Sequence, residues 1–257
     1  MGALTDKAAL VTGGGSGIGA ATARLLAAEG AAVGVVDVKP ERAEEVAGQI
    51  AEAGGRGLAL PADVTSDEQV AGAVEGLVGE FGRLDAVFSN AGINGVFAPI
   101  DDLTLDEWKR TLAVNLDGAF LVVHHSVPHL KERGGSIIFN ASINGPRCYR
   151  LWGGTAYSTT KAGLVAMARM LALELARWSI RVNTVCPGGV PDTRLDENTT
   201  RRNRESIGPD GRDAKMPGIG ACRPEDVGQA VLFLASDAAA KISGTEIYVD
   251  TGASLLY

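Results

Sequence analysis

Short apolar segments alternate with longer amphipathic segments along most of the chain. The short segments are rich in Val, Ile, Leu or Ala and show little polar–apolar alternation. This pattern is typical of strands that are buried on both faces of a parallel sheet. The predicted strands are Ala8–Val11, Ala32–Val36, Gly57–Leu60, Ala86–Ser89, Ser136–Asn140, Arg181–Cys186 and Glu246–Val249.

The segments between these strands have helical periodicity and recognisable start signals. Ser66 with Gln69, and Thr104 with Glu107, have the spacing of a capping box. The predicted helices are Gly19–Glu29, Pro40–Glu52, Ser66–Phe81, Thr104–Leu116, Ala156–Trp178 and Pro224–Ser236. Strand and helix in this order predict an α/β fold, a Rossmann-like doubly wound parallel sheet of about seven strands with helices on both faces.

No linker or low-complexity tract interrupts the alternation, so we expect a single domain over residues 1–257. The least regular segment, 192–222, combines glycines, prolines and clustered charges. Long irregular segments in small domains are usually functional. We interpret this one as a substrate loop.

Composition excludes several classes of function. The chain has a net charge of −7, which argues against a nucleic-acid partner. Its three cysteines form no CxxC pair, so neither a metal site nor a disulfide framework is indicated. We see no long uncharged apolar stretch and no signal peptide near the start, and we therefore expect no membrane association and a cytoplasmic location.

A glycine-rich segment, Thr12–Gly19, joins the first strand to the first helix and includes Ser16 and Ile18. Gly13 would permit the tight turn, Gly17 a close approach to a diphosphate, and Gly19 close contact between helix and strand. The alternative is an ordinary strand-to-helix turn.

The second strand is followed by Asp37, which can accept hydrogen bonds from the adenosine ribose and would repel a 2′-phosphate. Lys39 is the nearest cation in the sequence, and no arginine adjoins Asp37. This favours NAD over NADP as the cofactor. The alternative is that Asp37 caps the following helix.

Two further strand ends carry candidate cofactor contacts. Asp63 and Val64 follow the third strand, where they can meet adenine, although Asp63 can equally belong to a helix N-cap region. Asn90, Ala91 and Gly92 follow the fourth strand, where small residues leave room for a dinucleotide. A plain turn is the alternative for this second segment.

The candidate catalytic residues lie in the second half of the fold. Tyr157 and Lys161 have the i, i+4 spacing that places them on one helix face, where an ammonium would lower the tyrosine pKa. Ser142 follows the fifth strand and can hold a substrate oxygen. Asn115 interrupts a helical segment, so it marks either a kink that holds a water or a satisfied core amide.

These motifs resemble those of the short-chain dehydrogenase/reductase family, of the classical type, over nearly the full chain. The matching residues are Thr12-Gly13-x-x-x-Gly17-x-Gly19, Asn90-Ala91-Gly92, Asn115, Ser142, Tyr157-x-x-x-Lys161 and Pro187-Gly188. The resemblance implies that Tyr157 is the acid/base, that Ser142 orients the reacting oxygen, and that Lys161 binds the nicotinamide ribose. It also implies an Asn115 water relay.

The resemblance places further residues at the cofactor. Pro187, Gly188 and Val190 correspond to the segment at the nicotinamide carboxamide, Thr193 to a position near the diphosphate, and Ile18 to a backbone amide near the same phosphates. Two departures stand out. An insertion within Arg147–Gly154 lengthens the segment between Ser142 and Tyr157, and we expect it to line the substrate pocket. One extra residue precedes Thr193.

The sequence thus predicts an NAD(H)-dependent oxidoreductase that interconverts a secondary alcohol and a ketone. Candidate substrates are sugar alcohols, cyclic alcohols, steroids and 3-hydroxyacyl compounds. The alternatives are a non-catalytic dinucleotide-sensing or scaffold protein, and an isomerase, epimerase or dehydratase, while the Tyr–Lys spacing disfavours an enoyl reductase.

The resemblance implies a homotetramer, with a dimer as the alternative, formed through helices within 104–130 and 156–178 and through the C-terminal strand. His125 and His129 have a spacing that a metal could use, although packing is the simpler interpretation.

Overall fold

A seven-stranded, entirely parallel sheet organises the chain in the computed structural model. The structure describes residues 2–149, 151–191, 193–203 and 222–256. The spatial order is β3-β2-β1-β4-β6-β7-β9. The strands are β1 (Ala8–Thr12), β2 (Ala32–Asp37), β3 (Arg56–Pro61), β4 (Ala86–Ser89), β6 (Gly135–Asn140), β7 (Ile180–Pro187) and β9 (Glu246–Val249). The predicted Rossmann-like architecture is confirmed.

Burial explains why the strands lack alternation. Every residue of β1, β2 and β4 is buried, while the edge strands β3 and β9 are only half-buried. Helices cover both faces of the sheet and form two separate apolar layers. The helices are α1 (Gly17–Ala28), α2 (Pro40–Glu52), α3 (Asp67–Phe81), α4 (Leu105–Leu112), α5 (Gly118–Leu130), α6 (Thr155–Leu175) and α7 (Pro224–Ala235). None of the helices in the described residues has both the length and the apolar character that crossing a bilayer requires.

The two predicted capping boxes have different outcomes. Thr104 and Glu107 form the complete box at the start of α4. Ser66 accepts a hydrogen bond from the Gln69 amide, but the Gln69 side chain accepts from the Asp63 amide instead of closing the box. The predicted box at Ser66 is therefore only half present.

The helix predicted over Thr104–Leu116 differs from the observed one. A π-helical turn, Ala113–Asp117, joins α4 to α5, so the helical path continues to Leu130. Such π turns are frequent at functional sites, and this one contains Asn115. Asn115 therefore lies where the helix departs from regular α geometry, while the water that it was expected to hold stays a prediction.

A second, small sheet was not predicted. It pairs β5 (Gly95–Phe97) with β8 (Thr199–Arg201). A short 3₁₀ helix, Arg194–Asn198, precedes β8, so the beginning of the predicted substrate loop is ordered against the segment after β4. The rest of that loop, 204–221, and position 192 lie outside the described residues.

Candidate active site

The order of the sheet reverses between β1 and β4, and a cavity of about 530 Å³ opens at the carboxyl ends of these strands. Such switch points are where open α/β sheets bind ligands. The predicted residues that line this cavity are Gly13, Ser16, Gly17, Ile18, Asp37, Asp63, Val64, Asn90, Ala91, Gly92, Ser142, Tyr157, Lys161, Pro187, Gly188, Val190 and Thr193. Gly19 and Asn115 lie behind its wall.

The glycine loop has the backbone conformation that its sequence indicated. Gly13 and Gly17 have φ values of +59° and +48°, which strongly favour glycine. A Cβ added at Gly19 would lie 2.0 Å from the Gly13 carbonyl oxygen, so only glycine lets the start of α1 lie this close to the loop. Gly17 and Ile18, at the N-terminus of α1, border the cavity, and the amides of a helix N-terminus can bind a diphosphate.

The loop after β7 lies against the same turn. The Cα of Thr193 would be 3.3 Å from a Cβ added at Gly17, so Thr193 adjoins the glycine loop despite the extra residue before it. The Thr193 hydroxyl donates to the Val190 carbonyl oxygen at 3.3 Å, and the Gly188 amide donates to the Val249 carbonyl oxygen at 3.0 Å.

Asp37 is 8% exposed and borders the cavity. Its carboxylate accepts hydrogen bonds from the amides of Gly15, at 3.1 Å, and Lys39, at 3.0 Å. Lys39, rather than Asp37, is the N-cap residue of α2, so the capping alternative does not hold.

A second cation, Arg42, lies near Asp37, although the sequence indicated only Lys39. A Cβ built on Gly15 would lie 2.5 Å from the Arg42 Cβ and 2.8 Å from the Asp37 Oδ2, so the two side chains flank the same glycine. Arg42 lies in the first turn of α2 and borders the cavity.

Asp63 takes part in the turn before α3 and also borders the cavity, while its contact with adenine stays a prediction. Its Oδ1 accepts from the Thr65 amide at 2.9 Å and from the Thr65 hydroxyl at 2.8 Å, which shapes the turn before α3. Asp63 and Val64 also border the cavity, where a purine could contact them.

A chain of hydrogen bonds joins the glycine loop to the catalytic helix. The Asn90 side chain donates to the carbonyl oxygens of Thr12, at 2.8 Å, and Gly13, at 3.2 Å. Asn140 donates to the Asn90 Oδ1 at 2.8 Å, and Lys161 donates to the Asn140 carbonyl oxygen at 2.6 Å. Asn140 was not among the predicted site residues, although its position at the end of a central strand indicated a place at the ligand edge of the sheet.

Tyr157 is 7% exposed in the first turn of α6, where the buried Phe97 ring meets it edge to face with centroids 6.5 Å apart. Lys161 follows one turn later, with its Nζ 5.6 Å from the centre of the tyrosine ring. Ser142 borders the same cavity and lies near enough to the tyrosine to favour its phenolate, and the serine Oγ accepts from the Asn144 amide at 3.1 Å. The predicted serine, tyrosine and lysine therefore meet in one cavity.

The shift of the Tyr157 pKa is opposite in direction to the one predicted from the sequence. Burial raises this pKa above 10.0, and the nearby Ser142 hydroxyl opposes the rise. We expected Lys161 to lower it, but desolvation of the phenol outweighs its polar neighbours. Burial also lowers the pKa of Lys161 from 10.5 to about 8.

Asn115 supports the site from behind. Its side chain exchanges hydrogen bonds with both backbone groups of Ile93, at 2.8 and 2.9 Å, and donates to the Thr160 hydroxyl at 3.1 Å. A Cβ added at Gly92 would lie 3.2 Å from the Asn115 Oδ1 and 3.6 Å from the Lys161 Nζ. Asn115 is thus both a satisfied core amide and a residue of the kinked turn.

The insertion before Tyr157 borders a second depression. Tyr149, Leu151 and Trp152 line this depression, of about 680 Å³, together with residues of α6. Among the described residues they do not line the first cavity, and their place at the substrate stays a prediction. Cys148 is buried and donates weakly to the Asn144 Oδ1 at 3.5 Å.

The paired histidines face acidic side chains of α3. His125 contacts Asp67 at 2.7 Å, and His129 contacts Glu75 at 3.1 Å. Within the described residues no cluster of potential ligands could hold a metal ion.

The fold and the site together are those of an oxidoreductase built on a Rossmann-like sheet. The family model described as Enoyl-(Acyl carrier protein) reductase matches residues 13–254. Cis-4-hydroxycyclohexanecarboxylate dehydrogenase of Sinomonas cyclohexanicum is 39% identical, with 97% of each chain covered. Cyclohexanol dehydrogenase of Acinetobacter sp. (strain SE19) is 37% identical, over 96% of this chain and 94% of that relative.

Solved structures give the same result. A 3-ketoacyl-ACP reductase from Sinorhizobium meliloti 1021 is 45% identical, with a TM-score of 0.89 over 97% of this chain and 100% of that chain. A 3-ketoacyl-(acyl-carrier-protein) reductase from Brucella melitensis, complexed with NADH, is 33% identical, with a TM-score of 0.84 over 98% of this chain and 99% of that chain. The chain belongs to the short-chain dehydrogenase/reductase family, of the classical type.

The comparisons also decide between the alternatives for function. The relatives are named as dehydrogenases and reductases of alcohols and ketones, so this protein is an oxidoreductase of the alcohol/ketone class. The non-catalytic alternative finds no support among them.

Proposed function

We propose that this protein interconverts a cyclic secondary alcohol and its ketone, with NAD(H) as the cofactor and Tyr157 as the general acid/base. The observation that carries the proposal is the convergence of Ser142, Tyr157 and Lys161 in a cavity that also contains the glycine loop. When bound, the nicotinamide accepts or donates the hydride.

The protein's own residues manage the proton. Burial keeps the Tyr157 phenol neutral at neutral pH, because its pKa is raised. A neutral phenol donates a proton to a carbonyl oxygen during ketone reduction, while Ser142 holds that oxygen in place. In the oxidative direction the phenol must first lose its proton, so oxidation should accelerate as the pH rises above neutral.

The residues fit a dinucleotide. A side chain would strain the backbone at Gly13 and Gly17, and both glycines border the cavity at a helix N-terminus, where free amides can bind a diphosphate. Asp37 supports NAD over NADP, because a carboxylate at the ribose would repel a 2′-phosphate. The Brucella melitensis neighbour, whose complex contains NADH, agrees with this choice.

Two observations support a cyclic alcohol. Ile93, Val190 and Leu195 give the cavity apolar walls, and the relatives include dehydrogenases named for cyclohexanol, cyclopentanol and a hydroxycyclohexane carboxylate. An apolar wall excludes water from the ring while Ser142 and Tyr157 hold the single polar substituent.

The test is a substrate panel followed by the absorbance of the reduced nicotinamide. With NAD, the protein should oxidise cyclohexanol, cyclopentanol and cis-4-hydroxycyclohexanecarboxylate faster than it oxidises a linear sugar alcohol. The same three alcohols should be oxidised more slowly when NADP replaces NAD. An enoyl thioester tests the activity named in the family model's description. Turnover of that thioester without turnover of any alcohol or ketone would contradict the proposal.

Assembly, location and domain organisation stay predictions. We propose a homotetramer, with cytoplasmic location and a single domain. Phe120 on α5 and Met170 and Leu173 on α6 are more than half exposed, which supports contacts between subunits through these helices. Light scattering coupled to size exclusion would measure the subunit number, and a monomer would contradict the tetramer.

A further inference from the structure

Cationic side chains surround the end of the cavity where the adenosine half of a dinucleotide would lie. Lys39 and Arg42 come from the segment after β2, and Arg194 comes from the 3₁₀ helix next to Thr193. A guanidinium at this place can form paired hydrogen bonds with a phosphate. Left unopposed, these side chains would attract the 2′-phosphate that Asp37 repels.

Arg42 is the cation best placed to matter. Its Cβ and the Asp37 carboxylate flank Gly15, so the guanidinium and the ribose-binding carboxylate share one corner of the cavity. Only about a quarter of the Arg42 side chain is exposed. Its charge is therefore less screened than that of a free surface arginine.

Glu197 lies between the two arginines. One of its oxygens is 3.7 Å from a guanidinium nitrogen of Arg42, and the other is 3.7 Å from one of Arg194. The Glu197 residue belongs to the 3₁₀ helix at the start of the substrate loop, far from α2 in sequence.

We propose that Glu197 is a second determinant of cofactor specificity, which discriminates against a 2′-phosphate by occupying Arg42. Asp37 repels the phosphate directly, and Glu197 neutralises a nearby cation, Arg42, that could compensate. This inference rests on the proposed dinucleotide site and goes beyond it, because the residue comes from the substrate loop rather than from the cofactor half of the chain.

The effect should be modest. Glu197 is 55% exposed, and ion pairs at such positions contribute little. We expect the Glu197→Gln variant to improve the ratio of NADP to NAD affinity by about two- to fivefold, as partly exposed charge pairs allow.

The experiment measures dissociation constants of NADP⁺ and NAD⁺ by isothermal titration calorimetry, which does not depend on turnover. The four proteins are the wild type, Glu197→Gln, Arg42→Gln and the double variant. The Glu197 substitution should raise relative NADP affinity when Arg42 is present and raise it less when Arg42 is replaced, because only the Arg194 pair then remains. Glu41→Gln, which removes a charge elsewhere on the first turn of α2, is the matched control and should leave the ratio unchanged.

Two results would overturn the inference. One is an unchanged ratio in Glu197→Gln. The other is an equal gain with and without Arg42, which would mean that Glu197 acts by direct repulsion or through Arg194 rather than through Arg42. A wild-type preference for NADP would instead refute the proposed NAD preference, while the coupling between Glu197 and Arg42 would still be read from the same four proteins.

Discussion

Replacing Lys161 with methionine should change how the stability of the cofactor-free protein depends on pH. Lys161 is 5% exposed, and its ammonium donates to the Asn140 carbonyl oxygen. Burial lowers its pKa from 10.5 to about 8, so the unfolded chain binds the proton more tightly than the folded protein does. Stability must then rise with pH between these two values, because the unfolded state loses its advantage in proton binding.

The size of the effect follows from the shift. At neutral pH the buried ammonium costs about 3 kcal/mol relative to an unshifted lysine. Between about pH 7 and about pH 9.5 roughly 2 kcal/mol of that cost should disappear. In the Lys161→Met variant this contribution is absent. The difference in unfolding free energy between the two proteins should therefore shift by that amount in favour of the wild type.

Urea unfolding of both proteins at the two pH values, at equal protein concentration, measures this difference. The lost hydrogen bond to Asn140 lowers the variant's stability at both pH values and cancels in the comparison. Lys241→Met, at an exposed lysine, is the control and should follow the wild type. A pH-independent difference between wild type and Lys161→Met would refute the claim that burial destabilises the ammonium.

Three further substitutions test the site. Tyr157→Phe should lower turnover by about two to four orders of magnitude, the usual contribution of a general acid/base, with little change in the dissociation constant of NAD⁺ measured by calorimetry; unchanged turnover would reject the assignment. Gly19→Ala places a methyl group against a backbone carbonyl of the glycine loop, so it should weaken NAD⁺ binding and lower the thermal stability. Gly48→Ala is the control, because a methyl group there meets open space and should stabilise α2 by about 0.5–1 kcal/mol. Asn140→Ala leaves the partly buried side-chain oxygen of Asn90 without its donor, so it should cost about 1 kcal/mol in urea unfolding and lower kcat more than it raises KM. A variant as stable and as active as the wild type would show that the link is dispensable.

The sequence by itself determined the local architecture. The continuous apolar strands, the capping residues of α4 and the turn at Gly13 and Gly17 depend on neighbours a few residues away, so the chain's pattern reveals them directly. The same holds for Tyr157 and Lys161, whose i, i+4 spacing places them on one face of any helix. This is why the fold class and the main catalytic candidates could be predicted without coordinates.

Only the tertiary structure decided what depends on distant segments. The register of β4 against β6 brings Asn140 beside Asn90, and the start of the substrate loop brings Glu197 to Arg42. The direction of the Tyr157 pKa belongs to the same group, since it depends on how completely the folded chain removes the phenol from water. Contacts and desolvation of this kind arise between residues tens to hundreds of positions apart, and no periodicity in the sequence records them.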